Sequence, residues 1–298
     1  MPIRISVVIP CYNGEPYLAQ ALDSVLAQRL PAAEIVLVDD GSTDATPEIG
    51  RRYAAQHPLV VRYIRQEKSG VATARNNAVN AAQSEWIAFL DADDWWKPAK
   101  LERQAAVVAG SPGCDLVYTP LELHYPDGTI ENARSTPPEA IWPNLRYGNL
   151  ITPSSVMMRR DMFIEGGGFN PRIHGSEDWE LFARLIIRQK MRVGWVPETL
   201  TCYRETNTNS SKRIDGMLEA DLLSLPTMIS DLDGFRAYLW GRRILAAIMF
   251  RAAMNARGAG DPRELGFLAR SISYWPLLLP GRARYAAFVL ALFKQMTR

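Results

Sequence analysis

Five residues, Trp86-Ile87-Ala88-Phe89-Leu90, run straight into Asp91-Ala92-Asp93-Asp94. A short, continuous, aromatic-rich apolar run reads as a buried strand. The acids then stand where that strand leaves its sheet, at the carboxyl end. Ligands of open α/β sheets bind at that edge. Three carboxylates within four positions repel one another unless a cation or a metal-bound phosphate offsets them. The segment alone supports two accounts, a metal-bridged diphosphate site and an acidic surface turn.

The surrounding pattern sets the fold class. Strands are expected at Ile3–Ile9, Glu34–Val38, Val60–Ile64 and Trp86–Leu90, the third of them near an edge. Helices are expected over Pro16–Gln28, Asp44–Gln56, Ser69–Ala82 beyond Gly70, and Lys97–Ala109, with Pro98 in the first turn of the last. This strict alternation implies a mostly parallel, twisted sheet with right-handed crossovers. The pattern then changes. Leu116–Tyr125 alternates like an antiparallel strand, Pro126-Asp127-Gly128 is a turn, and Arg134–Leu150 reads as a loop. Ser154–Arg159 is a further strand, and Gly166-Gly167-Gly168 is a flexible break. Glu177–Gln189 is a helix, and Val193–Val196 and Leu200–Tyr203 are short strands. From about Ile214 the chain reads as helical.

With 298 residues, 47% hydrophobic and 22% charged, the chain can bury a sizeable core. Cys11, Cys114 and Cys202 are odd in number and far apart, so they match neither a metal spacing nor a disulfide framework, and a reducing cytoplasm is expected. The first residues enter a strand without the features of a signal peptide. The apolar runs Ser271–Gly281 and Tyr285–Phe293 are too short to span a bilayer. The net charge of +2 conceals an asymmetry: residues from Gly234 onward carry +9 and the preceding residues −7. An acidic body with a basic tail points to an anionic partner for the tail.

Every early strand end carries polar residues. They are Pro10-Cys11-Tyr12-Asn13-Gly14-Glu15, then Asp39-Asp40-Gly41-Ser42-Thr43-Asp44, then Gln66 to Asn76 with Lys68, Gly70 and Arg75, then the acidic cluster. In a parallel sheet these ends converge on one crevice. An aromatic face and a carboxylate acceptor suit a nucleobase, while Arg and a metal suit a diphosphate. Duller accounts stand beside these. Tyr12 fits core filler, Asp39 to Thr43 fit a turn with Ser42 or Thr43 as helix cap, and Arg75 fits a surface ion pair. No GxGxxG follows the first strand and no GxxxxGK[ST] occurs, which disfavours dinucleotide-binding and P-loop sites.

Taken in order, five segments resemble the signature of the family 2 glycosyltransferases: Val7-Val8-Ile9-Pro10-Cys11-Tyr12-Asn13-Gly14, Val38-Asp39-Asp40-Gly41-Ser42-Thr43-Asp44, Gly70-Val71-Ala72-Thr73-Ala74-Arg75-Asn76, Phe89-Leu90-Asp91-Ala92-Asp93-Asp94 and Ser176-Glu177-Asp178. The resemblance covers about Ile3 to Arg204. It implies an inverting enzyme of the GT-A fold, a Rossmann-like, mostly parallel α/β sheet flanked by helices, here with a helical C-terminal appendage. Residues 1–215 would form the catalytic domain, with a nucleotide-binding half (1–110) and an acceptor half (111–215), and 216–298 the basic helical region.

The resemblance further implies a nucleotide-sugar site at Pro10, Tyr12, Asn13, Glu15, Asp39, Asp40, Lys68, Gly70, Arg75, Asp91 and Ala92. Tyr12 would stack on the base, Asp40 would accept from it, and Arg75 would face the diphosphate or sugar. Asp91-Ala92-Asp93 would be the DXD motif, with Asp93 and then Asp91 holding Mg2+ or Mn2+. Asp178 would be the catalytic base, with Glu177, Trp179 and Arg204 on the acceptor side. Ser176-Glu177-Asp178 begins a helix, whose positive end is expected to keep both acids ionised; simple capping by Ser176 is the duller account. The donor would be a nucleoside-diphosphate sugar of the UDP type, and the acceptor a saccharide or a lipid-linked one.

The chain departs from the pattern at Tyr203-Arg204-Glu205-Thr206, where the family often carries Tyr-Arg-x-His. His174 either substitutes or is a solvated loop histidine. The Gln-x-x-Arg-Trp motif of processive members is absent, which favours single transfers. Basic residues among aromatics in the tail suit either the inner face of an anionic membrane or packing on the catalytic body or an oligomer partner. Nucleic acid is not expected as a partner. The rival functions are an inactive nucleotide-sugar-binding scaffold and a nucleotidyltransferase.

Overall fold

Strands whose side chains are apolar on both faces need cover on both sides of their sheet. The computed structural model describes residues 3–133, 136–206 and 213–276, together with Ala287 and Ala291, and of Trp142 and Pro143 the backbone alone. β1 (Ile5–Cys11), β2 (Glu34–Asp39) and β4 (Trp86–Phe89) are buried along their whole length. β1 lies between β2 and β4, parallel to both. β3 (Val61–Arg65) is the edge strand beside β2, with Arg62 and Arg65 exposed, as its sequence implies. On the other side β9 (Met157–Arg159) runs antiparallel between β4 and β6 (Leu116–Tyr118), and β10 (Val193–Trp195) closes that edge parallel to β6. The order is β10-β6-β9-β4-β1-β2-β3.

Helices cover both faces. α1 (Leu18–Leu26) buries Leu18, Ala21, Leu22 and Val25, a three-and-four spacing that keeps one stripe against Val7, Ile9 and Ile35. α3 (Val71–Ala81) lays Ala74, Ala78 and Val79 on the opposite face, against Val8, Val36 and Val38. α2 (Thr46–Gln56) and α4 (Lys100–Gly110) complete the layers.

Several elements differ from the sequence reading, each for a local reason. Leu116–Tyr125 is not one strand. Pro120 offers no N–H to a ladder, and beyond it β7 (Leu121–His124) joins a second sheet of order β5-β11-β7-β8. That sheet also holds β5 (Trp95–Trp96), β8 (Ile130–Asn132) and β11 (Thr201–Arg204). The stretch read as the loop Arg134–Leu150 contains α5 (Pro138–Asn144), begun by a proline at its first position and Glu139 in its first turn. Ser154 and Ser155 lie in a 3-10 turn (Pro153–Ser155) instead of a strand. α4 starts at Lys100, so Pro98 precedes it. The helix at Glu177 is α-helical over α7 (Glu177–Ala183) and then widens into a π turn (Arg184–Arg188). There Arg184 reaches across to the carbonyls of Gly166 and Gly168 and ties the helix to the glycine segment.

The C-terminal region forms α8 (Ile214–Met228), α9 (Gly234–Ala259) and α10 (Glu264–Tyr274). Met228, Ile244, Ile248, Ala253 and Leu268 share one apolar core with Phe89, Trp179 and Leu181. Its arginines bond to the chain itself: Arg242 to the carbonyls of Ser273 and Tyr274, Arg251 to Asp221, and Arg257 to Glu264. These bonds fall within the C-terminal region, and Arg251 alone of the three also reaches the body, at the Tyr147 carbonyl, while Phe235 and Tyr238 remain exposed. Leu277–Leu279, Arg282, Arg284 and most of Tyr285–Phe293 lie outside the described residues. Among the described residues, no helix is long and apolar enough to cross a membrane.

Candidate active site

The crevice opens where β1 and β4 diverge toward β2 and β9, at their carboxyl ends. Pro10 is buried within β1, and the chain leaves that strand through Asn13, held at φ 51°. The Asn13 N–H donates to Ser42 Oγ, and its Oδ1 accepts from the Thr43 N–H. The Glu15 N–H donates to Asp44, and Glu15 accepts from the Ala45 N–H. Asn13 and Glu15 thus staple the first crevice loop to the second. Between them Gly14 approaches so closely that a Cβ would stand 2.4 Å from Cys11 Sγ and 3.6 Å from Ala92. Cys11 is the small buried residue its position implies, and burial pushes its thiol up to about 12. The N-cap of α2 is Ala45, not Ser42 or Thr43, and the residue before it, Asp44, accepts from the Thr46 N–H through Oδ1.

Asp39 and Asp40 are both buried. Asp39 accepts from the Ser42 N–H and from the Tyr63 hydroxyl at 2.6 Å. Asp40 accepts from Gln66 and from the N–H groups of Ser69 and Gly70, all within 2.8 Å. The immediate work of Asp40 is therefore to hold the Lys68–Gly70 turn, where Gly70 takes φ 89°. That turn aims Lys68 at Tyr12, with Nζ 3.8 Å from the ring centroid. Tyr12 is not core filler; at 44% exposure its ring faces solvent, with the ammonium against it.

Arg75 is no surface residue either. It is 4% exposed, and its guanidinium bridges Asp91 Oδ1 at 2.7 Å and Glu177 Oε1 at 2.8 Å. The second Glu177 oxygen accepts from the Gly175 N–H. Glu177 is thus held at both of its oxygens, by Arg75 and by the Gly175 N–H.

The acidic cluster separates into three roles. Asp91 is bound to Arg75. Asp94 is buried, accepting from the Ser154 hydroxyl and from the Arg204 N–H. Asp93 is the remaining acid, and burial, then the Asp91 charge, push its carboxyl up to about 6. Arg204, read as an acceptor-side residue, braces this loop. Its Nε donates to the Asp93 carbonyl, its Nη2 donates to Gln20, and its guanidinium lies between the rings of Tyr17 and Trp95. Asp93 with Asp91 supplies hard oxygen donors in a place where negative charge is already costly, which fits Mg2+ or Mn2+. His174 is exposed beside Gly70. On the second sheet, Glu122, His124 and Cys202 bring ligand atoms within 4.8 Å of one another, a grouping that sequence spacing hides because β7 and β11 pair in register. Glu122 there bonds Lys97 and His124.

Asp178 faces a cavity of about 420 Å³ that is also lined by Arg75, Asp91 and Glu177. Its Oδ2 accepts from Asn149 at 2.7 Å and its Oδ1 from the Trp179 N–H. The helix start does not hold it fully ionised as expected. Burial, then the charge of Glu177, outweigh the pull of Arg75 and raise Asp178 to about 7. Trp179 is 1% exposed, its indole N–H donating to the Leu145 carbonyl and its ring covered by Arg251. Sequence reasoning missed Asn149, Ser154, Asp221 and Arg251. The first two fall in stretches read as loop and strand, and the last two in a tail without motifs.

The match to the model of "Glycosyl transferase family 2" covers residues 6–167, and a second, "Glycosyltransferase like family 2", covers 146–242. The chain belongs to the family 2 glycosyltransferases. It is 32% identical over 208 residues to the Bacillus subtilis protein named as a teichuronic acid biosynthesis glycosyltransferase, TuaG, covering 70% of this chain and 81% of TuaG. At the same identity it spans 58% of the length of mycobacterial relatives. The fold resembles that of S. aureus TarS 1-349 in complex with UDP-GlcNAc, with TM-score 0.69 and 19% identity over 97% of this chain and 89% of that one. It also resembles mannosyltransferase PcManGT from Pyrobaculum calidifontis in complex with GDP-Man and Mn2+, with TM-score 0.61 and 20% identity over 99% and 88%.

Proposed function

We propose that this chain moves a sugar from a nucleoside-diphosphate sugar to an acceptor hydroxyl, with inversion at the anomeric carbon. The observation that carries the reading is the shared cavity: Asp178, raised to about 7, opens into the same space as Arg75 and Asp91. A general base works best when its pKa lies near the working pH. Asp178 takes the proton of the acceptor hydroxyl as that oxygen attacks the anomeric carbon from the face opposite the leaving group. Asn149 and the Trp179 N–H hold the carboxylate in place. Tyr12 stacks on the base, and Lys68, displaced from the ring, turns to the diphosphate. Arg75 keeps Asp91 and Glu177 fixed while the charges shift. Asp93 and Asp91 would hold Mg2+ or Mn2+, which when bound supplies positive charge for a departing diphosphate. No covalent enzyme intermediate is required, consistent with the raised thiol of Cys11.

The donors named with TarS and PcManGT give the first candidates to test. The acceptor is a saccharide or a lipid-linked saccharide; exposed Phe235 and Tyr238 at the start of α9 support docking at a membrane surface. Thermal-shift measurements with UDP, GDP, CDP and dTDP, each with and without Mn2+, test the reading. A ligand at a hundred times its Kd adds about 2.7 kcal/mol, a shift of several degrees. One base stabilising the chain in a Mn2+-dependent way supports it; no response to any nucleotide contradicts it. A nucleotidyltransferase would release pyrophosphate from a triphosphate, and a scaffold would bind without turnover.

A further inference from the structure

The C-terminal helices do more than cover the sheet, because two of them reach the cavity that holds Asp178. Asp221 from α8 and Arg251 from α9 line it, with Ser176 at the start of α7 and Met217 beside Gly175. Arg251 donates from Nε and Nη2 to one oxygen of Asp221, Oδ2, and from Nη1 to the Tyr147 carbonyl. The other carboxylate oxygen, Oδ1, is buried and has no hydrogen-bond partner. The hydroxyl of Ser176 is likewise buried with no hydrogen bond of good geometry, and it stands beside the Asp221 carboxylate, which it helps to keep ionised. Both residues are 3% exposed. A buried carboxylate oxygen without a well-formed hydrogen bond costs stability, and Asp221 and Ser176, side by side on one cavity, mark a place where a polar ligand atom can complete the pair.

The charges of the cavity define that ligand. Its acids are Asp91, Glu177, Asp178, Glu205 and Asp221, against Arg75 and Arg251. Arg75 is already shared by two of the acids, and Arg251 is bound to Asp221. A carboxylate or phosphate entering here meets repulsion; a neutral molecule rich in hydroxyl donors does not. The volume of about 420 Å³ lies in the range of small-molecule sites, about 300–1,000 Å³.

We propose that Asp221 Oδ1 and Ser176 Oγ form an acceptor subsite that grips a hydroxyl of a neutral saccharide, while a second hydroxyl of the same sugar is presented to Asp178. The proposal rests on the glycosyltransferase reading above and names its acceptor class. Asp221 Oδ1 accepts a hydrogen bond from the hydroxyl, and Ser176 Oγ donates one to the same oxygen. The appendage then selects the acceptor, and the sheet crevice selects the donor.

The test uses the full chain, its responding nucleotide sugar, and a panel of octyl glucoside, galactoside, mannoside and glucuronide. Donor hydrolysis without acceptor gives the baseline. Transfer to a neutral glycoside and not to the glucuronide is expected. Ser176→Ala should raise the KM for that acceptor about threefold to tenfold, and Asp221→Asn about tenfold or more, with donor KM and donor hydrolysis unchanged. Asp221→Asn should also relax the rejection of the glucuronide. Asn retains an oxygen for Arg251, and if this variant melts early, Ser176→Ala alone carries the test. Unchanged acceptor KM in the variants, preference for the glucuronide, or intact donor hydrolysis with transfer to no neutral sugar overturns the subsite. A chain that neither binds nor hydrolyses any donor overturns the glycosyltransferase reading first.

Discussion

Arg75 and Glu177 stand 102 residues apart in the chain and meet at 2.8 Å inside it. The same guanidinium holds Asp91, so one buried cation joins the helix after β3, the acidic loop after β4 and the start of α7. Removing one partner from a buried ion pair costs about 3–5 kcal/mol, because the charge left behind is uncompensated. Arg75→Met is therefore expected to lower the melting temperature markedly and abolish transfer. Glu177→Gln, which keeps an acceptor oxygen for Arg75, should retain the fold and lose part of the rate. Thermal melts with product assays on both variants check this order.

The raised carboxyl of Asp178 sets the pH dependence. A base must be unprotonated to act, so kcat should rise through a limb near pH 7, where Asp178 titrates. Stability runs the other way. The folded chain binds a proton that the unfolded chain has already released, so stability is greatest below the ordinary carboxylate range and is lost as pH rises through about 7. Asp93 and Asp94, also raised, contribute in the same direction. Asp178→Asn should melt higher than wild type at pH 8, with the difference shrinking at pH 5.

Lys100 is fully buried, its ammonium 3.9 Å from the Trp96 ring and 2.9 Å from Gln104, and burial holds its pKa well below the usual lysine range. In the window between the lowered and ordinary values the unfolded chain binds more protons, so this group makes stability rise with pH. Replacing a buried cation with an apolar side chain of similar shape is often stabilising. Lys100→Met should raise the melting temperature at pH 7 and flatten its rise between pH 7 and 10, with transfer unaffected.

Tyr12 is expected to carry donor affinity. Stacking of a base on an aromatic ring contributes about 1–3 kcal/mol. Tyr12→Ala should raise the donor KM about tenfold or more and leave the melting temperature near that of wild type, since the ring is exposed. Isothermal titration with the responding nucleoside diphosphate measures the loss without any acceptor.

Much of this was legible in the sequence where the signal is local. The buried strands around Val7, Val36 and Ile87 declare themselves by apolar runs, and the crevice residues by following them. What stayed hidden depends on distance. That Asp40 also holds the turn at Ser69 and Gly70 could not be read locally, because no sequence rule shows these residues folding back onto it. The place of Arg204 under the acidic loop follows from β11 and is likewise invisible in the local sequence. The charge state of Asp178 could not be read from its helix position, because burial and Glu177 outweigh the helix start. Asp221 and Arg251 lie in helices whose periodicity reports packing and nothing of the cavity they reach.

The central claim is that Asp178 performs the proton transfer within a site that binds its donor independently. The most direct measurement compares nucleoside-diphosphate release and donor affinity in wild type and Asp178→Asn. The account predicts a loss of turnover on the order of a hundredfold to ten-thousandfold, with the donor Kd within about threefold of wild type, since Asp178 lies on the acceptor side. Turnover by Asp178→Asn at the wild-type rate, or loss of donor binding with a native melt, would contradict it.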